Sequence, residues 1–309
     1  MTRLLPTLAL LLVAAIPAAG QLPAAPPPPP PPPPTEGGLT VRDSSVGYID
    51  SAAPADQVRL RADLRTDFRA PNRAEFFYPQ GQPRGPGLPR PERAIDFQDA
   101  TLYLERMVAP AWSVFAEGGL RALNPDVNAN AAGLADANVG FKYAVLSGAD
   151  GIGTVQFRAY LPTGAPGRGL GTGHVSLEPA VLGFYRLTED LGLASEVRYW
   201  HPVDGTDFAG GVLRYGLGLR YEACAGDGWR LAPTLEAIGW SILGGRESRL
   251  MPDGTVGVRD AGGTTVVNLK LGARLDLGEQ AGFYAGYGRA VTADRWYRDV
   301  FRIEFRWLY

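Results

Sequence analysis

Apolar and polar residues alternate along most of the chain after residue 50. In the stretch VRLRADLRTDF, every second residue from Val58 to Phe68 belongs to one mainly apolar set, and the residues between them are Arg or Asp. Successive side chains of a β-strand point to opposite faces, so this period of two predicts strands with one oily and one charged face. No segment after residue 50 shows the sustained period of a helix.

The same alternation returns in TVQFRAYL, LRYGLGLRYEA, TVVNLKLGARLDL and the terminal FRIEFRWLY. Each run has roughly the ten residues that a tilted strand needs to cross a bilayer, and aromatic residues recur near its ends. Two strands are irregular: the second, whose phase slips near Asp99, and the ninth, which contains Pro233. The predicted strands begin near Gln57, Ala94, Trp112, Ala135, Gly153, His174, Leu191, Gly211, Trp229, Thr264, Gly282 and Tyr297.

The connections between these strands alternate between short and long. The short ones are turns such as VAPA, SGADG, TEDLG, AGDG and GEQAG. An even number of strands, with short turns at one end and long loops at the other, is typical of bacterial outer-membrane barrels. The sequence therefore predicts an all-β fold: a closed antiparallel transmembrane β-barrel of about 12 strands, with short periplasmic turns and long extracellular loops. The long loops are residues 70–93, 123–134, 162–173, 201–210, 244–263 and 289–295, and the Pro-rich first one either caps the mouth or is disordered.

The terminal strand explains how such a sheet closes. In lipid every backbone donor and acceptor must be paired within the protein, so the strand from Phe301 to Tyr309 is expected to pair with the first strand. A terminal strand that ends on an aromatic residue resembles the assembly signal of bacterial outer-membrane proteins, although most of those end in Phe rather than Tyr. We therefore expect outer-membrane lipid and the barrel-assembly machinery as partners, the latter through this strand.

The part of the chain before the strands has two segments of its own. The stretch MTRLLPTLALLLVAAIPAAG has Arg3 and then an apolar run of the length found in secretory signal peptides. We predict a signal peptide at 1–20, a proline-rich periplasmic linker at 21–55 and an outer-membrane β-barrel at 56–309. The predicted location is the cell outer membrane of a Gram-negative bacterium. The unbroken run from Pro26 to Pro34 favours a stiff polyproline II rod. This rod is either a plain spacer or a handle for a periplasmic or cell-wall partner.

Composition excludes several classes of function. The 309 residues include 30 Lys+Arg and 32 Asp+Glu, so no basic excess indicates a nucleic-acid partner. The mean hydropathy is close to zero, which argues against a helical membrane protein. Cys224 is the only cysteine of the sequence and can form no internal disulfide. We expect no cofactor, and no metal site, because such a site needs at least three converging ligands.

Charged residues on the polar faces of the strands form the candidate site. The mixture of positive and negative side chains on these faces allows two interpretations. The charges pair across strands and fill the lumen, or they line a narrow wet path for polar or anionic solutes. The predicted lumen-lining residues are Arg59, Arg61, Asp63, Arg65, Arg158, Glu178, Glu196, Arg198, Arg214, Arg220, Glu222, Glu236, Lys270, Arg274, Arg302, Glu304 and Arg306.

Three further polar residues lie beside long loops. In HVSLE, His174 and Ser176 are spaced by two, so they share one strand face. A His-x-Ser pair on a strand is similar to that of outer-membrane phospholipase A, which adds an Asn on the next strand, but no Asn lies between Glu178 and Trp200. A nucleophile whose base is not oriented is poorly activated. We therefore interpret His174, Ser176 and His201 as polar residues at the extracellular mouth and expect no catalytic residue.

The middle of the chain resembles a known family. DANVGFKYAVLSG, the run Leu161-Pro162-Thr163-Gly164, the run Gly171-Thr172-Gly173 and the strand through Glu178-Pro179 are similar to outer-membrane barrels described as transporters of the meta-pathway of phenol degradation. The resemblance covers Asp96 to Tyr309 and implies a barrel in the outer membrane. It also implies transport, but not the solute.

Three functions follow as hypotheses. The first is a porin-like channel or transporter for a small solute, with an aromatic or hydrophobic molecule as one option. The alternative is a structural or anchoring barrel with a closed lumen, tethered through its polyproline arm. The lesser alternative is a lipid-acting outer-membrane hydrolase.

Overall fold

The computed structural model describes residues 41, 43–69, 85–251, 253 and 255–309. All of them belong to one compact unit, Gly37–Tyr309. The predicted signal peptide, the polyproline run and most of the loop at 70–93 lie outside the described residues.

The regular secondary structure of the described part of the chain consists almost entirely of strands. A single 3-10 turn, Pro166–Arg168, interrupts them, and no helix in the described ranges is long and apolar enough to cross a membrane. The strands are β1 (Gln57–Phe68), β2 (Ile95–Ala109), β3 (Trp112–Pro125), β4 (Ala131–Leu134), β5 (Ala137–Ser147), β6 (Gly151–Leu161), β7 (Ser176–Arg186), β8 (Leu191–Pro202), β9 (Val212–Tyr221), β10 (Cys224–Gly226), β11 (Trp229–Ile242), β12 (Arg246–Leu250), β13 (Val256–Asp260), β14 (Thr265–Leu277), β15 (Ala281–Ala290) and β16 (Asp299–Leu308).

Twelve of these strands close into an antiparallel barrel, which confirms the predicted fold class. Each wall strand pairs with the next wall strand along the chain, and β16 returns to pair with β1 in the register Leu64↔Phe301. Closure leaves no open edge whose backbone groups would need partners in lipid. Every predicted strand start lies within two residues of the observed one. The wall strands are β1, β2, β3, β5, β6, β7, β8, β9, β11, β14, β15 and β16.

The two faces of the wall differ as the alternation predicts. Outward residues such as Leu64, Leu217, Leu271 and Ile303 are 44% to 63% exposed. Inward neighbours of these residues, such as Arg302, are buried. A continuous apolar outer surface of this kind is stable against lipid rather than water.

Strand β2 does not slip in phase near Asp99, contrary to the expectation. Asp99 is buried, its neighbours Gln98 and Ala100 are exposed, and the alternation continues along the strand. The apparent slip arises because Phe97 and Tyr103 point into the lumen with the polar residues. Inward aromatic rings pack there against other rings, so hydrophobicity alone does not identify the outer face at this strand.

Pro233 fits β11 at a position where one side of the strand is unpaired. The pairing with β9 begins at Thr234, and the pairing with the short strand β10 ends at Leu231. Proline has no N–H to donate, so it is tolerated at such an interruption of the ladder.

The long loop at 244–263 contains a hairpin that the sequence analysis did not predict. Strands β12 and β13 pair from Arg246↔Asp260 to Leu250↔Val256. The dipeptide Asp-Gly at 253–254 in the sequence is a common indication of a hairpin and could have predicted it.

Candidate functional site

The inside of the barrel holds a segment that precedes β1. Residues 43–54, named the plug segment, are almost entirely buried among lumen-facing side chains, with Val46 and Ile49 at 0% and 3% exposure. The prediction that residues 21–55 are a linker outside the barrel is therefore wrong from residue 43 onward. The segment turns back on itself, because Ser44 Oγ lies 2.8 Å from Ser51 Oγ and accepts a hydrogen bond from the Ala53 amide.

Side chains of the wall satisfy the backbone of the plug segment. The amides of Tyr48 and Ile49 both donate to the carboxylate of Glu236, at 2.9–3.0 Å. Four successive carbonyl oxygens accept hydrogen bonds from arginines of the wall. Charge-assisted bonds of this kind replace the strand partners that a loop inside a barrel lacks. The carbonyl pairs are Ser45 with Arg220, Val46 with Arg274, Gly47 with Arg302 and Tyr48 with Arg214.

Asp50 fixes the plug segment to the wall by ion pairs. Its carboxylate lies 2.8 Å from Arg158 and 2.9 Å from Arg198, with Arg59 at 3.8 Å. Burial by itself would raise the pKa of Asp50, but the charges of Arg198, Arg158 and Arg59 outweigh it and hold that pKa well below its ordinary value of 3.8. Asp50 therefore stays charged at neutral and mildly acidic pH.

Asp43 makes the matching contacts at the other end of the plug segment. Its oxygens lie 2.7 Å from Arg306 and 2.8 Å from Arg220. Burial opposes ionisation here too, and Arg306 and Arg220 lower the pKa of Asp43 well below 3.8. Each end of the loop thus carries one ionised carboxylate between two or more guanidinium groups.

Acid is expected to break the ion pairs of Asp50 only below about pH 3.8. A lowered pKa in the folded state means that the Asp50 ion pairs stabilise the plugged form fully above 3.8 and are lost as the pH falls through the lowered value. Protection of the plug-segment amides from hydrogen exchange should therefore be the same at pH 7 and pH 5. Asp50→Asn should lower that protection at both values, since breaking a buried ion pair costs about 3–5 kcal/mol. Protection that falls in the unmodified protein between pH 7 and pH 5 would contradict this assignment.

Glycines of the wall make room for the apolar side chains of the plug segment. A Cβ at Gly216 or Gly218 of β9 would lie 3.2–3.3 Å from the tip of Ile49. Gly47 itself passes so close to the Tyr284 ring and to Glu236 that any side chain there would overlap them. Glycine in a strand interior commonly marks such a close approach of another backbone.

The predicted lumen-lining residues lie on the inner face, and most of them pair with one another. Arg302 bonds Asp63 at 2.7 Å, and Arg274 bonds Glu304 at 3.1 Å. Glu222 is half-buried just beyond the end of β9, close to the short turns. Arg61, Arg65 and Arg214 are also half-buried, and the buried ones are Arg59, Asp63, Arg158, Glu178, Glu196, Arg198, Arg220, Glu236, Lys270, Arg274, Arg302, Glu304 and Arg306.

The three predicted mouth residues do not come together. His174 is buried, and its Nδ1 lies 3.3 Å from the carbonyl oxygen of Thr172. Ser176 Oγ is buried and has no hydrogen-bond partner among the described residues, so it has no bond to His174. His201 is exposed on the opposite, outer face beside Tyr199. These contacts form no nucleophile–base pair.

Two cavities lie in the barrel on either side of the plug segment. One, of about 730 Å³, is at the end with the short turns and is lined by Asp43, Ala55 and Glu279 among others. The other, of about 250 Å³, is at the end with the long loops and is lined by Tyr48, Asp50 and other residues. They share no lining residue. The plug segment therefore separates two spaces inside one barrel.

The similarity of this chain to known proteins is limited to its fold. No family model matches the chain, and no curated protein matches its sequence. The NanC porin is similar in structure with a TM-score of 0.50 and 10% identity, covering 82% of this chain and 100% of the porin. An outer membrane channel from Pseudomonas putida F1 is similar with a TM-score of 0.53 and 12% identity, covering 86% of this chain and 100% of the channel. At these identities the likeness concerns the barrel fold.

Proposed function

We propose that this protein is an outer-membrane channel for a small solute, with the plug segment restricting its lumen. The observation that carries the proposal is the pair of cavities at opposite ends of the barrel, with the plug segment between them. Lumen charges of both signs give a polar path, and the apolar outer surface suits a membrane. The two structural neighbours, a porin and an outer membrane channel, are consistent with this role.

The location and relatives of the channel are part of the same proposal. A signal peptide at 1–20 would direct export, and the terminal strand, whose outward side chains include Ile303 and Trp307, would engage the barrel-assembly machinery. The motifs from Leu161 to Pro179 support kinship with the meta-pathway transporter family. A small aromatic or hydrophobic solute is the class that this kinship favours.

Planar-bilayer recording of the refolded mature protein tests the channel function. We expect small discrete conductance steps at neutral pH, because the plug segment narrows the lumen without removing the cavities on either side. Liposomes that contain the protein should also become permeable to small solutes. Folded protein that gives no steps and leaves liposome permeability unchanged would overturn the proposal.

A closed anchoring barrel is the second candidate, and one observation favours it. Side chains of the wall bond the plug segment at both ends and along its middle, so the segment is held firmly inside the lumen. For this role the polyproline run would bind a periplasmic or cell-wall partner, and its deletion would disturb the envelope while conductance stays at zero. An enzymatic role has less support, because Ser176 Oγ has no hydrogen bond within the described parts of the chain.

A further inference from the structure

Three tryptophans line one side of the cavity at the long-loop end. Trp200 and Trp296 stack with centroids 5.9 Å apart at 9°, and Trp240 lies 4.9 Å from Trp296. All three line the cavity together with Tyr48 and Tyr297. Flat aromatic surfaces of this kind pack best against another flat ring.

Lys270 brings a positive charge to the same cavity. Its Nζ lies 3.6 Å from the centroid of the Tyr48 ring, 5.5 Å from that of Trp240 and 5.9 Å from that of Tyr297. The residue lines the cavity and is 3% exposed. The ammonium group is therefore enclosed by aromatic rings rather than by water.

Within the described ranges, Lys270 forms no ion pair of 4.0 Å or less. Glu236 is its cross-strand neighbour, but both carboxylate oxygens of Glu236 accept from the plug segment. The arginines that line the cavity are, in contrast, each paired with a carboxylate. They are Arg61 with Glu304, Arg65 and Arg121 with Asp99, Arg158 with Asp50, Arg214 with Glu196 and Arg302 with Asp63.

The charge balance and the size of the cavity define what fits beside Lys270. Of its seven basic lining residues, six are arginines already paired with carboxylates, so the positive charge that remains for an anion is that of Lys270. Its volume of about 250 Å³ is below the roughly 300–1,000 Å³ of pockets for drug-sized ligands, which limits the ligand to about one ring. A buried ammonium group without a close ion pair is costly, so an anion placed beside it gains more than it would at a surface.

We propose that this cavity binds a small aromatic carboxylate, with its ring against Trp200, Trp240 and Trp296 and its carboxylate on Lys270. The inference rests on the proposed channel function and names the class of solute that pauses above the plug segment. Three indole N–H groups there have no acceptor in the described structure. These N–H groups are further hydrogen-bond donors on the same side of the cavity.

Calorimetric titration of the purified full-length mature protein in detergent tests the site. Sodium benzoate should bind with saturation, and benzyl alcohol, which keeps the ring but has no charge, should bind at least about tenfold more weakly. Lys270→Met should weaken benzoate binding by a similar factor and leave benzyl alcohol unchanged. Lys270→Arg keeps the charge and should retain most of the benzoate affinity.

Equal binding of benzoate and benzyl alcohol by the unmodified protein would overturn the site, and this comparison needs no variant. Undiminished benzoate binding by folded Lys270→Met would overturn it too. The outcome is separate from that of the bilayer recording. A protein that conducts but does not bind benzoate refutes this site alone, whereas one that binds benzoate and does not conduct refutes the channel.

Discussion

Deletion of residues 43–54 is expected to raise the single-channel conductance several-fold. The plug segment lies between the cavities of about 730 Å³ and 250 Å³, so its removal is expected to join them into one water-filled path. The deletion also removes the carboxylates of Asp43 and Asp50 from a lumen rich in arginine. Ion selectivity should therefore shift toward anions. Both quantities are measured in the same planar-bilayer experiment.

The wall should survive this deletion, because its charges keep partners on other strands of the wall. Each of the four arginines that donate to carbonyl oxygens of the plug segment also forms an ion pair with a carboxylate of the wall. The pairs are Arg220 with Asp276, Arg274 with Glu304, Arg302 with Asp63 and Arg214 with Glu196. Heat-modifiable migration in gels would verify that the variant is folded. Deletion of the proline run at 26–34 is the matched control and should leave conductance unchanged. Equal conductance of the folded 43–54 deletion and the parent would refute the plugging role.

The barrel could be predicted from the sequence because the alternation that produces its strands involves residues that are adjacent in the chain. A strand with lipid on one side and a polar lumen on the other must alternate, as β1 does from Val58 to Leu64. Local pattern fails where the lumen is itself apolar. Phe97 and Tyr103 face inward with Asp99, so at β2 the oily and charged sets are mixed.

The plug segment could not be predicted because its partners are distant in sequence. Tyr48 and Ile49 bond Glu236, almost two hundred residues away, and no period of two or of 3.6 develops in so short a run. The same applies to the Lys270 cavity, whose tryptophans come from separate strands and loops. One indication was nevertheless present. Gly216 and Gly218 occupy inward positions of β9 where a lumen side chain would be expected, and inward glycines indicate that another part of the chain comes close.

A single substitution, Gly47→Leu, is expected to open the channel nearly as far as the deletion does. A Cβ at residue 47 would overlap the ring of Tyr284 and approach Glu236 Oε1 at 2.6 Å. The ring cannot retreat, because it covers Gly272 and Gly286 so closely that neither has room for a side chain. The plug segment must move instead, which also breaks the bonds from its Tyr48 and Ile49 amides to Glu236. Overpacking of this kind costs about 1–3 kcal/mol, a roughly 5- to 150-fold shift from the plugged toward the open state.

The specificity of the Gly47 effect can be tested with two further variants. Gly118→Leu is the matched control, since nothing lies within 4 Å of the Cβ position there, and it should conduct like the parent. Tyr284→Ala combined with Gly47→Leu removes the obstructing ring and should restore the small steps of the plugged channel in part. Restoration would show that contact with Tyr284, rather than a general loss of order, displaces the segment. If folded Gly47→Leu protein conducted no more than the Gly118→Leu control, the close passage of residue 47 beside Tyr284 would not be what holds the lumen shut.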